Sequence, residues 1–305
     1  LQQQDLDLLG VFFSTPFFGP TKGVDYEHLL GIPVRIIDIG DKHLEMLKRP
    51  VYGYGSQMNP CIDCHALMLR EAGRMMESEG AGFLFTGEVL GQRPMSQRRD
   101  SLRSVEKLSG YPGRVLRPLS ARLLAPTRME IEGSVDRSKL LDIQGRSRKR
   151  QIALAEQFGI TDYPQPGGGC VLTKHGFGKK LRALFDLYAQ AGVREAQAIG
   201  CGRLLRLPGS HLYVIGRNHA DNEELEKLAG SREYLLRVVD YPGPRGLLFF
   251  SAEVEQELSL AAMVLASYSD APKGREIEIA WSRAGRFGTF KQPVVDRSNF
   301  QQYLI

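Results

Sequence analysis

Cysteine and tryptophan are scarce in this 305-residue sequence: four of the first, one of the second. Four thiols are too few for the disulfide framework of a secreted scaffold of this size. They suit metal or redox chemistry in a reducing compartment, so a cytoplasmic protein is expected. No apolar run approaches the roughly 18 residues that a membrane-spanning helix needs. The opening LQQQDLDLLG has neither the basic region nor the apolar stretch of a signal peptide, nor an initiator Met. The chain is therefore expected to begin inside a longer gene product. There is no internal repeat and no low-complexity tract.

About two-fifths of the residues are apolar and a quarter are charged, an ordinary balance for a globular protein. The length is enough for two domains. The net charge of +5 is spread unevenly. Residues 93–150 hold 15 Lys and Arg against 6 Asp and Glu, which leaves the rest of the chain at −4. That segment is either a polyanion-binding face or a solvated basic surface.

Two halves differ in pattern. Short apolar runs at 8–13 (LLGVFF) and 34–39 (VRIIDI) read as strands buried on both faces. Further strands are expected at 82–86 and 115–117, and helices at 64–78 and 138–158, the latter in two pieces around Gly145. Strands alternating with helices imply a parallel α/β sheet with ligands at the carboxyl ends of its strands. A Pro/Gly-rich loop at 163–169 closes this half, and a helix at 179–191 follows. The remainder reads as a small α+β domain. Its short strands fall at 204–207, 212–215, 234–239, 247–250 and 276–281, with a helix at 254–268.

Three constellations could carry chemistry. In NPCIDCH, residues 59–65, two thiols stand three residues apart ahead of a helix. A helix start favours the Cys64 thiolate through its exposed N–H groups. A third thiol, Cys170, follows three glycines, which permit close backbone approach. Three thiolates suit an iron–sulfur cluster with one open iron. Two suit a persulfide relay. A structural zinc site or inert cysteines would read the same way. Cys201 has no sequence partner and reads as a small core residue, and His65 as a surface or capping group. The second constellation is FTGEVLGQRPMSQ, residues 85–97, a strand end of small and amide residues able to pass beside a nucleotide. Arg93, Arg98 and Arg99 follow as potential phosphate ligands, or as an ordinary solvated cluster. The third, GRSRKRQ at 145–151, places four cations in five residues.

Together these segments resemble a known family. TGEVLGQRPMSQ is similar to the TGEALGQ…SQ segment of ThiI-type tRNA 4-thiouridine synthases, and VLRPL (115–119) to the strand that follows there. NPCIDCH resembles the Asn-Pro…Cys motif of MnmA-type 2-thiouridylases, and PGGGCVLTK (166–174) the loop bearing their second thiol. The resemblance covers residues 1–175. It implies an α/β, parallel-sheet PP-loop ATPase domain of the adenine nucleotide alpha hydrolase-like kind. Residues 176–196 would be a connecting helix. Residues 197–305 resemble the NFACT-R RNA-binding module through CGRLLRLPGSHLYVIGRN, VDYPGP and AAMVLASYSDAPKGREIEIAW.

The resemblance implies ATP-dependent tRNA thiolation. ATP with Mg would adenylate a uridine carbonyl, and sulfur would then displace AMP. Cys64 and Cys170 would be catalytic. Cys61, Cys64 and Cys170 would be the metal ligands if the sulfur is held on a [4Fe–4S] cluster. Thr86, Gly87, Gly91 and Gln92 would line the nucleotide pocket. Arg98, Arg99, Arg146, Arg148, Lys149 and Arg150 would hold tRNA, joined by Arg203, Arg206, Arg217 and Lys273 in the second half. The partners implied are tRNA and a sulfur donor, either a cysteine desulfurase or free sulfide, with no membrane. The SGGxDS phosphate loop of the family does not occur in these residues, which implies a truncated sulfurtransferase, inactive in this form. The alternative is a non-catalytic RNA- or ribosome-binding protein acting through residues 197–305.

Overall fold

The computed structural model describes residues 1–21, 23–160, 163, 169–249 and 255–305. Most of the expected Pro/Gly-rich loop (164–168) and the segment 250–254 lie outside them. The chain forms two compact units, Leu1–Leu172 and Thr173–Ile305.

In the first unit the elements are β1 (Gly10–Ser14), α1 (Tyr26–Leu30), β2 (Val34–Asp38), α2 (Gly40–Lys48), α3 (Cys61–Ser78), β3 (Leu84–Phe85), α4 (Arg99–Ser109), β4 (Val115–Leu116), α5 (Arg128–Ile131) and α6 (Lys149–Gln157). Each strand pair is parallel, β1 with β2 and β3 with β4. The continuous parallel sheet expected from the α/β pattern does not form among the described residues. β1 and β3 each have one strand partner, and β3 and β4 are only two residues long. β1 and β2 are accordingly not buried on both faces. Every residue of β1 is half-buried, and Ile36 in β2 is 60% exposed.

Helix α3 is built from good helix formers, with Ala66, Leu67, Leu69 and Met76 buried along it. It starts at Cys61, three residues earlier than expected. Gly73 is required where α3 meets the Tyr111 ring, since a Cβ there would lie 2.0 Å from a ring carbon. The helix expected over 138–158 is interrupted more than its sequence suggests. Only Lys149–Gln157 is α-helical. Gly145, at φ 85°, turns the chain so that its N–H donates to Leu90 O at 2.8 Å, and Gln144 bridges Leu90. Helix α4 was not among the expected elements and begins at Arg99, the last residue of the expected Arg cluster. Leu102 and Val105 provide its buried stripe.

The second unit contains α7 (Phe177–Leu187), α8 (Val193–Ala198), β5 (Arg203–Leu207), β6 (His211–Ile215), α9 (His219–Leu228), β7 (Tyr234–Val238), β8 (Arg245–Phe249), α10 (Glu255–Ala266), β9 (Glu276–Arg283) and β10 (Arg286–Pro293). Six strands form one antiparallel sheet in the order β10-β9-β7-β8-β6-β5. Leu205, Leu236, Leu248, Leu265 and Ile279 belong to one contiguous core between the sheet and α10. Each such side chain contributes about 1.5–3 kcal/mol through burial. Alanines along α10 let it approach the sheet closely. Strand β10 was not expected, because its RFGTFKQP sequence mixes Gly and Pro with alternating residues.

Candidate functional site

The motif segments of the first unit converge on one buried carboxylate. Glu88, in the turn after β3, is 7% exposed. His65 Nδ1 lies 2.7 Å from its Oε1. Thr86 Oγ1 donates to Oε2 at 3.2 Å and Arg117 Nε to Oε2 at 2.9 Å. Arg117, itself 3% exposed, also pairs with Glu106 of α4. Burial alone would push the Glu88 carboxyl up. Hydrogen bonds and charge from His65 and Arg117 outweigh it, and bring the pKa down to about 2. The cysteine-bearing helix, the TGE turn and the VLRPL strand are thus tied by a buried ionic network. His65, with 28% of its side chain exposed, is held by Glu88 and caps no helix end.

Near this network lie the thiols. Cys64 Sγ is 3.3 Å from His43 Nε2, on the buried face of α2. Burial holds the Cys64 thiol well above its usual range, and the negative charges of Cys170, Cys61 and Asp63 add to this. The two separated stretches of chain thus bring their sulfurs within electrostatic reach of each other. The expected thiolate stabilisation by a helix start does not operate at Cys64. Its N–H already donates to Pro60 O at 2.8 Å, inside the first turn of α3. Asn59 Nδ2 donates to Cys61 Sγ at 3.3 Å. Burial lowers the His43 pKa to about 4, so the imidazole beside Cys64 is neutral at pH 7. Among the described residues no group of three or more His, Cys, Asp or Glu is arranged to hold a metal ion. Cys201, in the second unit, is half-buried and donates to Gln197 O at 3.3 Å.

The residues expected to line a nucleotide pocket stand in the loop after β3. Thr86 is occupied by Glu88, Gly87 is open on its Cβ side, and the Gly91 N–H donates to Gln97 O at 2.7 Å. The Gln92 Nε2 and Gln97 Oε1 atoms are buried without hydrogen-bond partners among the described residues. A buried donor and acceptor left unmade cost about 1–3 kcal/mol each, which a polar ligand edge would relieve. A cavity of about 440 Å³ in this unit lies elsewhere, lined by Lys42, Met46, Arg49, Arg70 and Leu108 among others.

The expected RNA contacts divide into engaged and open cations. Arg99 donates to Leu123 O, Arg150 pairs with Asp142 at 2.7 Å, and Arg148 lies over the Tyr163 ring at 5.8 Å. Arg98, Arg146 and Lys149 are exposed, without side-chain partners among the described residues. In the second unit Arg203 lies over the Tyr268 ring at 5.2 Å, Arg217 pairs with Asp221 at 2.7 Å and Lys273 with Asp296. Arg206 is exposed and donates to Ser210 Oγ at 3.3 Å. His211 is 4% exposed, inside the sheet.

The antiparallel six-stranded unit has a family counterpart. Residues 202–303 match the NFACT protein RNA binding domain. This NFACT-R domain spans the whole of the sheet and α10, and leaves residues 1–201 uncovered. No curated protein matches the chain. Among solved structures, the chain is similar to the C-terminal part of the fibronectin/fibrinogen-binding protein from Streptococcus suis. The identity is 14% and the TM-score 0.31, over 87% of this chain and 98% of that one. A likeness at this level establishes neither a common fold nor a shared role. No helix among the described residues is long and apolar enough to cross a membrane.

Proposed function

We propose that this protein binds RNA through its NFACT-R domain. The match of residues 202–303 to an RNA binding domain is the observation that carries this reading. The surplus of Lys and Arg in residues 93–150 adds a cationic region outside that domain, whose own Lys and Arg are balanced by Asp and Glu. Binding to tRNA and to unstructured RNA, followed by fluorescence anisotropy, should weaken steeply as salt rises. An affinity independent of salt, or none, would refute it.

A second reading is favoured by the convergence of Cys64 with Cys170 and Cys61 beside the Glu88 network. In this reading the RNA is a substrate for sulfur transfer, and the protein is a sulfurtransferase of the thiouridine synthase kind. ATP, as co-substrate with Mg, would turn a uridine carbonyl oxygen into a leaving group. Thr86, Gly87, Gly91 and Gln92 would hold the nucleotide, and the unpartnered Gln92 amide fits that role. A persulfide on Cys64 would supply its outer sulfur to the activated carbon. The Cys170 thiolate would then cleave the sulfur–sulfur bond, leaving a Cys64–Cys170 disulfide for an external thiol to reduce. The persulfide sulfur would come from a cysteine desulfurase, whose own persulfide already holds sulfur at that oxidation level, whereas free sulfide would serve only the cluster-bound route. A [4Fe–4S] cluster on Cys61, Cys64 and Cys170 would need the three sulfurs drawn closer together. Iron and labile sulfide in anaerobically purified protein would indicate the cluster, and a trapped Cys64 persulfide the relay. Unchanged tRNA thionucleosides in cells lacking the gene would leave RNA binding as the whole function.

A further inference from the structure

Strand register divides the NFACT-R sheet into two faces. Leu236, Leu248, Ile277 and Ile279 face α10 and are buried. Their neighbours point the other way and align across strands. Phe287 of β10 stands opposite Ser282 of β9, which stands opposite Leu235 of β7. In the next row Thr289 opposes Ala280, Ala280 opposes Arg237, and Arg237 opposes Arg245. Lys291 opposes Glu278 in the third.

This second face is covered only in part. At the β5, β6 and β8 side its residues Leu204, Val214 and Leu247 are buried. At the β7, β9 and β10 side Arg237, Ser282, Thr289 and Lys291 are exposed, and Phe287 is 82% exposed. Single exposed apolar residues are common and mean little alone. Here the exposed ring shares a face with two cations, Arg237 and Lys291, that have no hydrogen bond or ion pair among the described residues. Strand spacing and rise put Phe287 and Arg237 about 12 Å apart. Glu278 is the acid in these rows and marks one edge of the patch.

An open sheet with a ring and flanking cations suits splayed bases, which stack while their phosphates meet the cations. Duplex bases are already stacked and have no use for the ring. A protein partner would want more apolar area than Phe287 and the half-buried Leu235 provide.

We propose that the outward face of β7, β9 and β10 holds single-stranded RNA, with a base stacked on Phe287 and phosphates on Arg237 and Lys291. This rests on the RNA-binding reading and locates the surface.

The test uses the full chain with a fluorescein-labelled oligouridylate of about ten nucleotides, and a duplex of matched charge. F287A should weaken single-strand binding by about tenfold, and F287W should restore it. R237Q and K291Q should each flatten the salt dependence by about 0.7 in log–log slope. Duplex binding should not respond to F287A. Wild-type binding with F287A indistinguishable from it would overturn this surface and leave RNA binding intact. A fall in solution mass on F287A would overturn it too, since a second copy would then occupy the patch. Failure of the wild type to bind either probe would sink both the surface and the RNA-binding reading.

Discussion

The two units solve the problem of burial in opposite ways. In the second, apolar residues from six strands and α10 form one contiguous cluster. In the first, smaller clusters surround Leu116 and Val115 separately, and polar groups go inside with them. Of the twelve buried polar or charged residues among those described, nine lie in the first unit, including His43, Asp63, Glu88 and Arg117. Such groups are costly to bury unless paired, and they make a unit depend on a few specific contacts. The first unit is thus organised around buried polar and ionic side chains. The second is organised around a sheet that presents a surface.

The largest effect should come from removing Arg117. R117M leaves Glu88 buried against a lost cation, a change that costs about 3–5 kcal/mol. Urea unfolding should show the first unit destabilised and the second unmoved. A single shared transition with both units affected would break the comparison. Conversely, L236A removes a fully buried side chain from the sheet core. It should cost the second unit about 2–5 kcal/mol and leave the first unit's transition in place.

Acid should separate the units next. The folded first unit holds His43 neutral with a pKa of about 4 and Glu88 ionised with a pKa of about 2. Both values lie below those of the unfolded chain, so the unfolded state takes up protons first and acid favours it. The His43 contribution should be lost as pH falls from its usual 6.5 toward 4, and the Glu88 contribution from 4.5 toward 2. H43Q should remove the upper part of this dependence, read from urea midpoints against pH. A flat profile for the wild-type first unit would contradict the neutral buried imidazole.

Smaller effects sharpen the contrast at the surface and the thiols. Cys64 should alkylate slowly at pH 7 and faster as pH rises, because burial and nearby negative charge disfavour its thiolate. Peptide mass spectrometry after iodoacetamide treatment would follow it. R217Q should change RNA affinity by less than about twofold, since Asp221 already neutralises that side chain.

Much of the site was legible as segments and little of it as geometry. The Cys-containing heptad, the TGE turn and the later Cys170 stand out by residue type and spacing. Their connection through His65, Glu88 and Arg117 does not, because the three are 23 and 29 positions apart. Glu88 sits in a recognised motif, and its place at a strand end was a signal that it could point inward. His43 carried no signal beyond its place among the apolar residues of α2. Helix α4 went unassigned, although Leu102, Val105 and Leu108 recur at a spacing of three. Strand β10 was not readable, since only its pairing with β9 gives RFGTFKQP an alternating face.

Local sequence determined where most strands and the longer helices α3, α7 and α10 lie, because periodicity and turn residues act over a few positions. It also determined that three thiols exist with glycine and proline beside them. Tertiary structure decided which sulfurs feel one another, which arginines are already spent on carboxylates, and which face of the sheet stays open. Those outcomes depend on burial and on partners distant in the chain, and desolvation and charge pairing exist only once the chain has closed around them.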